Sequence, residues 1–337
     1  MHRFTRRSAL AAAAALPAAP ATIATAQPAG GGAWPSRPIR LVIPFTPAGT
    51  TDLVGRITAE RLGQRLGQQV VVENRPGAGG NVAGEHVARS EPDGYTLLFT
   101  TIGTGAINFA VYGPRMPYKP EDLAAVGLMV RVPNVLMVSN RVPARSIAEL
   151  IALAKANPGK LNYGSAGVGT SPHVCMELFK IQTGTDLAHV PYRGSAPMLT
   201  ELMADRLDVG MDNIPSSLAF LREGRLRGLA TTGARRSSVL PDLPTMQEAG
   251  VPDFEATAWF GVLAPARTPP PIIERLGREL DAIGKEPAFR ARMAEFGAEP
   301  PALTPDGGSS PEAFAEFLRA EIAKWADVVR RSGARVE

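Results

Sequence analysis

Short apolar runs alternate with amphipathic segments along the first part of the chain. IRLVIPF is typical of a buried strand, and residues 52–66, which follow it, have the spacing of a helix. The alternation continues through QQVVVENR, NVAGEHVARS and GYTLLFTT. Strands that alternate with helices predict βαβ units, and therefore a mostly parallel sheet with helices on both faces.

A second block repeats this alternation after residue 140. Its helical segments begin with small hydroxyl residues, which favour the N-cap position because their oxygen accepts a backbone N–H of the first turn. We therefore predict that Ser146, Ser171 and Ser195 cap three helices. Three more amphipathic segments, from residue 270 onward, are predicted to close the chain as helices.

Two long extended runs, near 126–140 and 254–264, flank this middle block. They predict an α/β protein of two lobes joined by two crossover strands, with a ligand cleft between the lobes. Lobe 1 would contain residues 37–128 plus 255–337, and lobe 2 would contain residues 129–254. A single α/β domain with a long insertion is the alternative.

The first 26 residues have the composition of an export signal. A basic start, an apolar Ala/Leu stretch and the end Ala24-Thr25-Ala26 predict cleavage before Gln27 and a periplasmic location. Arg6 and Arg7 resemble the pair of a twin-arginine (Tat) signal, and an ordinary Sec signal is the alternative. Residues 27–36 are rich in Pro, Gly and Ala and are expected to form a flexible leader.

Removal of the signal changes the charge of the protein. The whole chain has 36 Lys and Arg against 32 Asp and Glu, and the signal carries three of the arginines and no acid, which leaves a net charge of +1. A nucleic-acid partner is therefore not expected. Cys175 is the only cysteine, so no intramolecular disulfide and no cysteine metal cluster can form, and we expect no cofactor.

Four loops share one design, in which a strand ends and Gly, Ser, Thr or Asn residues lead toward a helix. They are PFTPAGTTD (44–52), TTIGTGAIN (100–108), GSAGVGTSPH (164–173) and YRGSAP (192–197). Ligands of open α/β sheets bind beyond the carboxyl ends of the strands, where helix N-termini offer unpaired N–H groups and a positive partial charge. The loops therefore predict a site for a small carboxylate.

Two acidic residues in these regions have more than one interpretation. Asp52 is favourable in the first turn of a helix whatever the function, but it could also bind a ligand ammonium or hydroxyl, or brace the loop. Asp212 follows a strand pattern and could be a helix cap or an acceptor in the cleft.

The sequence contains no convincing catalytic set. It has no HExxH, no G-x-S-x-G elbow, no P-loop and no dinucleotide-binding glycine motif in the right context. The protein is therefore not expected to be an enzyme. The alternative is a hydrolase or transferase on the same scaffold that uses Ser171, His173 and Asp212.

Nine motifs from residue 34 to the last helix resemble the solute receptors of tripartite tricarboxylate transporters, the Bug-type periplasmic receptors. They are PFTPAGTTD, VVENRPGAGGN, EPDGYTLL, GTGAIN, NYGSAGVGTSPH, HVPYRGSAPMLTEL, DVGMDN, LPDLPTMQEAGVPDFEATAWFG and AEIAKWADVV, in that order. The resemblance implies a type II-like periplasmic-binding-protein fold and a substrate-binding protein that functions in transport.

The resemblance also implies the ligand-binding residues. They belong to the four loops and to the region of Asp212, and they are Phe45, Thr46, Ala48, Gly49, Thr50, Thr51, Asp52, Thr101, Gly103, Thr104, Asn108, Thr170, Ser171, Tyr192, Gly194, Ser195 and Asp212. The chain departs from the family where Ala48 replaces a glycine, and where Gly105 and Phe109 stand in place of the frequent His and Pro.

The expected function is capture of a small carboxylate by a monomer that does not span the membrane. The ligand would be a di- or tricarboxylate, an acidic amino acid or an aromatic acid, and the partners would be membrane transporter subunits. A ligand-sensing partner of a membrane signalling protein is the alternative, since it would use the same cleft.

Overall fold

The computed structural model describes residues 34–332, so the predicted export signal and most of the predicted leader lie outside the described residues. The first three strands are β1 (Ile39–Ile43), β2 (Val70–Asn74) and β3 (Thr96–Thr101), and they are parallel in the order β2-β1-β3. Helices α1 (Thr50–Leu66) and α2 (Asn81–Ala88) connect them, as the alternation predicts.

A π-helical turn, Gly103–Ile107, and the short helix α3 (Asn108–Tyr112) follow β3 directly. All five residues of the π-helical turn are buried. The second predicted loop, TTIGTGAIN, thus becomes helical almost directly after β3.

Two long antiparallel strands, β4 (Leu123–Val138) and β9 (Thr257–Pro265), connect the two halves of the molecule. The first part of β4, up to Pro133, pairs with β9, and its second part, from Asn134, pairs with the strands of the other half. The prediction of two extended crossovers is confirmed.

The other half contains β5 (Asn162–Ser165), β6 (Ala188–Pro191), β7 (Val209–Asn213) and β8 (Arg227–Thr231). Its helices are α4 (Ile147–Ala156), α5 (Ser171–Thr183), α6 (Ser195–Met203) and α7 (Ile214–Arg222). Strands β6, β5 and β7 are parallel, and β7 and β8 run antiparallel to β4. We refer to the half with β1–β3 as lobe 1 and the half with β5–β8 as lobe 2.

Three helices close the described chain: α8 (Pro270–Lys285), α9 (Pro287–Ala294) and α10 (Pro311–Ser332). Helix α8 packs against α1, where Arg65 forms an ion pair of 2.7 Å with Glu279. Helix α10 is attached to the crossover through Glu321, which accepts the indole N–H groups of Trp259 at 2.8 Å and Trp325 at 3.0 Å. It contacts α3 of lobe 1 and α5 of lobe 2.

Within residues 34–332, none of the helices combines the length and the apolar character that a membrane span requires. Helix α7 is not among the helices predicted from the sequence; its first turn contains Pro215 and two serines. A proline is favourable in the first turn of a helix, since the N–H that it lacks has no partner there.

Candidate functional site

A cavity lies between the two lobes, at the carboxyl ends of strands from both. Its volume is about 20 Å³. Its lining comes from all four predicted loops and from the crossover β9, and consists of Phe45, Gly49, Thr50, Thr51, Thr101, Ile102, Ala166, Thr170, Ser171, Pro172, Ser195, Asn213 and Phe260. Loops from distant parts of the sequence are thus brought together around one space.

The predicted binding residues divide into two groups by position. Those that line the cavity are Phe45, Gly49, Thr50, Thr51, Thr101, Thr170, Ser171 and Ser195. Those that lie outside its lining are Thr46, Ala48, Asp52, Gly103, Thr104, Asn108, Tyr192, Gly194 and Asp212.

Five lining residues were missed by the sequence analysis: Ile102, Ala166, Pro172, Asn213 and Phe260. Ile102, Ala166 and Pro172 lie within the predicted loops but are apolar, Asn213 follows Asp212 at the end of β7, and Phe260 lies in a strand where the apolar pattern indicates core.

The first turn of α1 points bare backbone donors at this cavity. The first α-helical hydrogen bond is the one from Leu53 N to Gly49 O, at 2.9 Å. The N–H groups of Thr50, Thr51 and Asp52 precede it and donate to no other described residue, and Gly49, at the N-cap, provides no side chain to accept them. These three N–H groups and the helix dipole favour an anion at this wall.

Asp52 braces the loop before α1. Its carboxylate accepts from Ala48 N at 3.1 Å, from Asn74 Nδ2 at 2.9 Å and from Arg56 Nε at 2.9 Å. Burial raises the pKa of this carboxyl, but the hydrogen bonds from Arg56, Asn74 and Ala48 outweigh it, so the pKa is lowered. Of the interpretations open for Asp52, loop bracing is the one that the contacts support.

Ala48 takes the left-handed backbone conformation that glycine normally occupies. Its φ is +69°, although the side chain is a methyl group. The methyl group therefore does not prevent a positive φ at this position. The loop keeps the conformation, and the strain of the left-handed region is about 1–2 kcal/mol for a residue with a Cβ.

The two lobes touch around the cavity. Thr46 N donates to Arg193 O at 3.4 Å, and the hydroxyl of Thr50 donates to Ser216 Oγ at 3.0 Å. In return, Ser216 N donates to Thr50 Oγ1 at 3.2 Å. The lobes are therefore closed on each other, with α1 of lobe 1 hydrogen-bonded to the start of α7 of lobe 2.

Glycines make a second contact between the lobes possible. A Cβ at Gly103 would lie 2.9 Å from the carbonyl oxygen of Gly169, which is too close for a normal contact. Beside them, Asn108 donates to Gly79 O at 3.1 Å and to Asn81 Oδ1 at 2.6 Å, and so stays within lobe 1. The backbones of the two lobes approach here because no side chain separates them.

Ser171 and Ser195 do not cap helices, so both of those predictions are wrong, whereas Ser146 accepts Glu149 N at 3.2 Å as predicted. The N-caps of α5 and α6 are Thr170 and Gly194, and neither makes a side-chain cap bond. Ser195 Oγ instead donates to Asp212 Oδ1 at 2.7 Å. The hydroxyl group is turned toward a buried charge on a different element.

Asp212 lies in β7, behind the cavity wall, and is completely buried. Its carboxylate accepts from Ser195 Oγ and, at 2.5 Å, from Ser216 Oγ. Burial raises its pKa from 3.8 to about 6, against the lowering by the hydrogen bonds from Ser216, Ser195 and the Asn213 backbone. Neither the helix-cap interpretation nor the cleft-lining interpretation describes this residue.

The three residues of the enzyme hypothesis do not form a relay. His173 Nδ1 accepts the N–H of Gly169 at 3.3 Å, and the ring stacks on His189 with centroids 4.3 Å apart. Ser171 Oγ donates to Asn134 Oδ1 at 3.4 Å. Since the hydroxyl partners of Asp212 are Ser195 and Ser216, no general base reaches the hydroxyl of Ser171.

The unusual residues Gly105 and Phe109 lie away from this cavity. A Cβ at Gly105 would come within 2.6 Å of the indole ring of Trp259, so the packing of the crossover leaves no room for a side chain. Phe109 packs edge-to-face on Tyr118, with ring centroids 5.7 Å apart. These two departures from the family pattern line a different pocket, beside Leu318 of α10, and do not touch the candidate site.

Two α/β lobes, two crossover strands and a donor-rich cavity between the lobes define a solute-binding protein of the periplasmic-binding-protein fold. A family model described as "Tripartite tricarboxylate transporter family receptor" matches residues 54–333. Protein BugT of Bordetella pertussis is 37% identical over 318 residues, which cover 94% of this chain and 96% of BugT.

Two solved structures of related proteins are also similar. Rpa4515 of R. palustris, solved with adipate, has a TM-score of 0.85 and 42% identity over 89% of this chain and 98% of its own. MatC of Rhodopseudomonas palustris, solved with bound malate, has a TM-score of 0.82 and 31% identity over 88% of this chain and 100% of its own. The chain belongs to the tripartite tricarboxylate transporter receptor family, the family of the Bug solute-binding proteins.

Replacement of Ala48 by glycine should stabilise the protein. Ala48→Gly removes the strain at φ +69° and should raise the free energy of unfolding by about 0.5–1 kcal/mol, measured by urea denaturation. Ala166→Gly is the matched control, because Ala166 lies in another cavity loop and has no positive φ. Its unfolding free energy should fall. Equal effects of the two substitutions would contradict the strain at Ala48.

A side chain at Gly103 should hold the lobes apart. Gly103→Ala places a Cβ 2.9 Å from Gly169 O, so closure should be impaired while each lobe stays folded. Small-angle scattering should show a larger radius of gyration than for the wild type, with a melting temperature within a few degrees. Gly284→Ala is the control, because no atom lies within 4 Å of its added Cβ. A variant as compact as the wild type would show that this contact does not limit closure.

The charge of Asp212 should reduce stability as the pH rises. Its pKa is raised from 3.8 to about 6 in the folded protein, so the stability that its protonated form contributes is complete below pH 3.8 and is lost as the pH rises through about 6. Relative to the wild type, Asp212→Asn should therefore gain roughly 2.5 kcal/mol of unfolding free energy between pH 4 and pH 7. Urea denaturation at each pH measures this difference, and a constant difference would contradict the raised pKa.

Proposed function

We propose that this protein captures a small carboxylate-bearing metabolite between its two lobes in the periplasm. We further propose that it delivers this ligand to a tripartite tricarboxylate-type membrane transporter. The observation that carries the proposal is the row of N–H groups at the buried residues Thr50, Thr51 and Asp52, which have no acceptor among the described residues, and of which Thr50 and Thr51 line the cavity. Such donors are stabilised by an anion.

The side chains that line the cavity are uncharged, so its charges are the partial charges of the backbone N–H groups. None of the residues that line the cavity, among those described, carries a cationic side chain. A carboxylate would therefore be held by backbone N–H groups and by hydroxyls such as that of Thr51, which donates to no other described residue. Phe45 and Phe260 give the cavity apolar walls, which suit the hydrocarbon part of an organic acid.

The relatives support this class of ligand. Rpa4515 was solved with adipate and MatC with malate, and both are dicarboxylates. We propose that this chain likewise captures a carboxylate, and that the predicted signal at residues 1–26 directs its export. The absence of a catalytic relay at Ser171 and His173 agrees with release of the ligand unchanged.

Calorimetry against a panel of acids tests the proposal. The panel contains the straight-chain diacids from succinate to suberate, malate, citrate, glutamate and benzoate. At least one acid should bind, and mass spectrometry should recover it unchanged. If the folded protein bound none of these acids, capture of a carboxylate would be refuted. If the bound acid were consumed, the protein would be an enzyme. Deletion of the gene from its native host should abolish uptake of the bound acid at low concentration, which tests delivery to a transporter.

A matched pair of threonine substitutions locates the site. Thr51→Val removes a hydroxyl that lines the cavity, and loss of one neutral hydrogen bond should weaken binding about three- to tenfold. Thr58→Val makes the same change on the same helix at a buried threonine whose hydroxyl has no partner among the described residues, and it should leave affinity unchanged. Equal effects of the two variants would show that the anion does not bind at the start of α1.

A further inference from the structure

The loop between β5 and α5 is a part of lobe 2 that fits closely onto lobe 1. We call its residues 167–169 the docking loop. Val168 O lies so near lobe 1 that a Cβ at Gly79 would come within 2.1 Å of it. A Cβ at Gly169 would lie 1.9 Å from Asn108 Oδ1, so an asparagine of lobe 1 packs directly on the loop backbone. The lobes can therefore close in this way only if the docking loop keeps its shape.

Side chains of lobe 2 hold the docking loop at both ends. Its two glycines, Gly167 and Gly169, have φ values of +134° and +81°, which other residues rarely adopt. Gly167 O accepts the hydroxyl of Thr170 at 2.7 Å, and Gly167 N donates to Ser165 Oγ at 3.2 Å. Gly169 N donates to Nδ1 of His173 at 3.3 Å. The shape of the flexible glycine backbone thus depends on side chains outside the loop.

The bond from Gly169 fixes the protonation state of the His173 ring. An amide N–H only donates, so Nδ1 must carry a lone pair, and the ring is neutral with its proton on Nε2. The ring is 5% exposed and stacks on His189, with centroids 4.3 Å apart. His189 Nε2 is in turn hydrogen-bonded to Ser165 Oγ at 2.7 Å. One pair of stacked rings therefore supports both ends of the docking loop.

We propose that His173 is a positioning residue for closure of the lobes, because its neutral ring holds the docking loop in the shape that fits lobe 1. A proton on Nδ1 removes the acceptor, and Gly169 then loses its fixed position against Asn108. His173 is not among the residues that line the cavity, whereas residues 170–172 beside it are. On the basis of the proposed function, the same proton weakens ligand capture, since capture is coupled to closure.

The surroundings of His173 favour the neutral ring. Burial lowers its pKa to about 4, although Glu177 raises the pKa and Lys180 lowers it further. Burial also lowers the pKa of His189, to about 3, so that ring stays neutral in the same pH range. The charged and titratable groups around His173 are Glu177 and Lys180 on α5, Tyr163 on β5, His189 on β6, Asp212 on β7, and Glu321 and Lys324 on α10.

The pH dependence of closure follows from the pKa of His173 in the two states. The pKa is about 4 when the docking loop is in place, and it returns toward the ordinary 6.5 when the loop is released and water reaches the ring. The contribution of His173 to closure is therefore complete above pH 6.5 and is lost as the pH falls toward 4.

Two substitutions of His173 separate the acceptor from the ring. His173→Asn places an amide oxygen near the position of Nδ1 and takes up no proton, whereas His173→Phe keeps a stacked ring without an acceptor. Small-angle scattering at pH 7 should give His173→Asn the wild-type radius of gyration and His173→Phe a larger one. At pH 5 the wild type should expand, and neither variant should change as much. Asp212, with a pKa of about 6, is present in all three proteins, so their differences report His173.

Two outcomes of the scattering experiment would refute the inference. One is a His173→Phe protein as compact as the wild type at pH 7, and the other is an equal response of the wild type and His173→Asn to pH. Nitrogen NMR of the wild-type histidines needs no variant. It should show Nδ1 of His173 unprotonated at pH 7, and a proton on that atom would refute the inference even if a variant failed to fold.

Adipate, the ligand of the related Rpa4515 structure, is the probe for the effect on capture. Calorimetry at pH 7 should show about three- to tenfold weaker binding to His173→Phe, which loses one hydrogen bond that supports closure. The wild-type affinity relative to His173→Asn should fall about tenfold between pH 7 and pH 5. If adipate and the wider acid panel failed to bind, the proposed function would be refuted, and scattering and NMR would still decide the role of His173.

Discussion

The structure depends on the need of buried backbone N–H groups for hydrogen-bond acceptors. At the first turn of α1, Thr50, Thr51 and Asp52 are almost fully buried, and none of their N–H groups donates to another described residue. Burial of unpaired donors is unfavourable, so these N–H groups require an acceptor from outside the described residues, either water or a ligand. The β1–α1 loop is built to hold this arrangement, because the Asp52 carboxylate accepts from Ala48 N and ties the loop to Arg56 and Asn74.

Closure of the lobes follows from the same loops. Backbone can approach backbone only where side chains are absent, and the contact between Gly103 and Gly169 is of this kind. The polar contact between Thr50 and Ser216 then links closure to the start of α1. A ligand that occupies the N–H groups of α1 therefore lies against the element through which one lobe holds the other, and such coupling is expected of a receptor that closes on its ligand.

Much of this architecture could be predicted from the sequence, because it depends on local pattern. The alternation of strands and helices fixes where the loops lie, and the carboxyl ends of strands β1, β3 and β5 bring their loops to one space. The directions of the hydroxyl groups could not be predicted in the same way. Ser195 stands where an N-cap is expected, but its partner Asp212 comes from β7, and only the folded chain places them 2.7 Å apart. Apolar lining such as Phe260 carries no signal, since the same pattern indicates core.

The buried carboxylate of Asp212 determines how the hydroxyl groups behind the lobe 2 wall are used. A buried carboxylate without a cation is unfavourable, and here it is stabilised only by hydroxyls and a backbone N–H. That arrangement uses the hydrogens of Ser195 and Ser216, which would otherwise be free to bind an anion. The backbone N–H groups at the starts of α1 and of α5 and α6 have no acceptor among the described residues, so each lobe keeps unpaired backbone donors at the cavity.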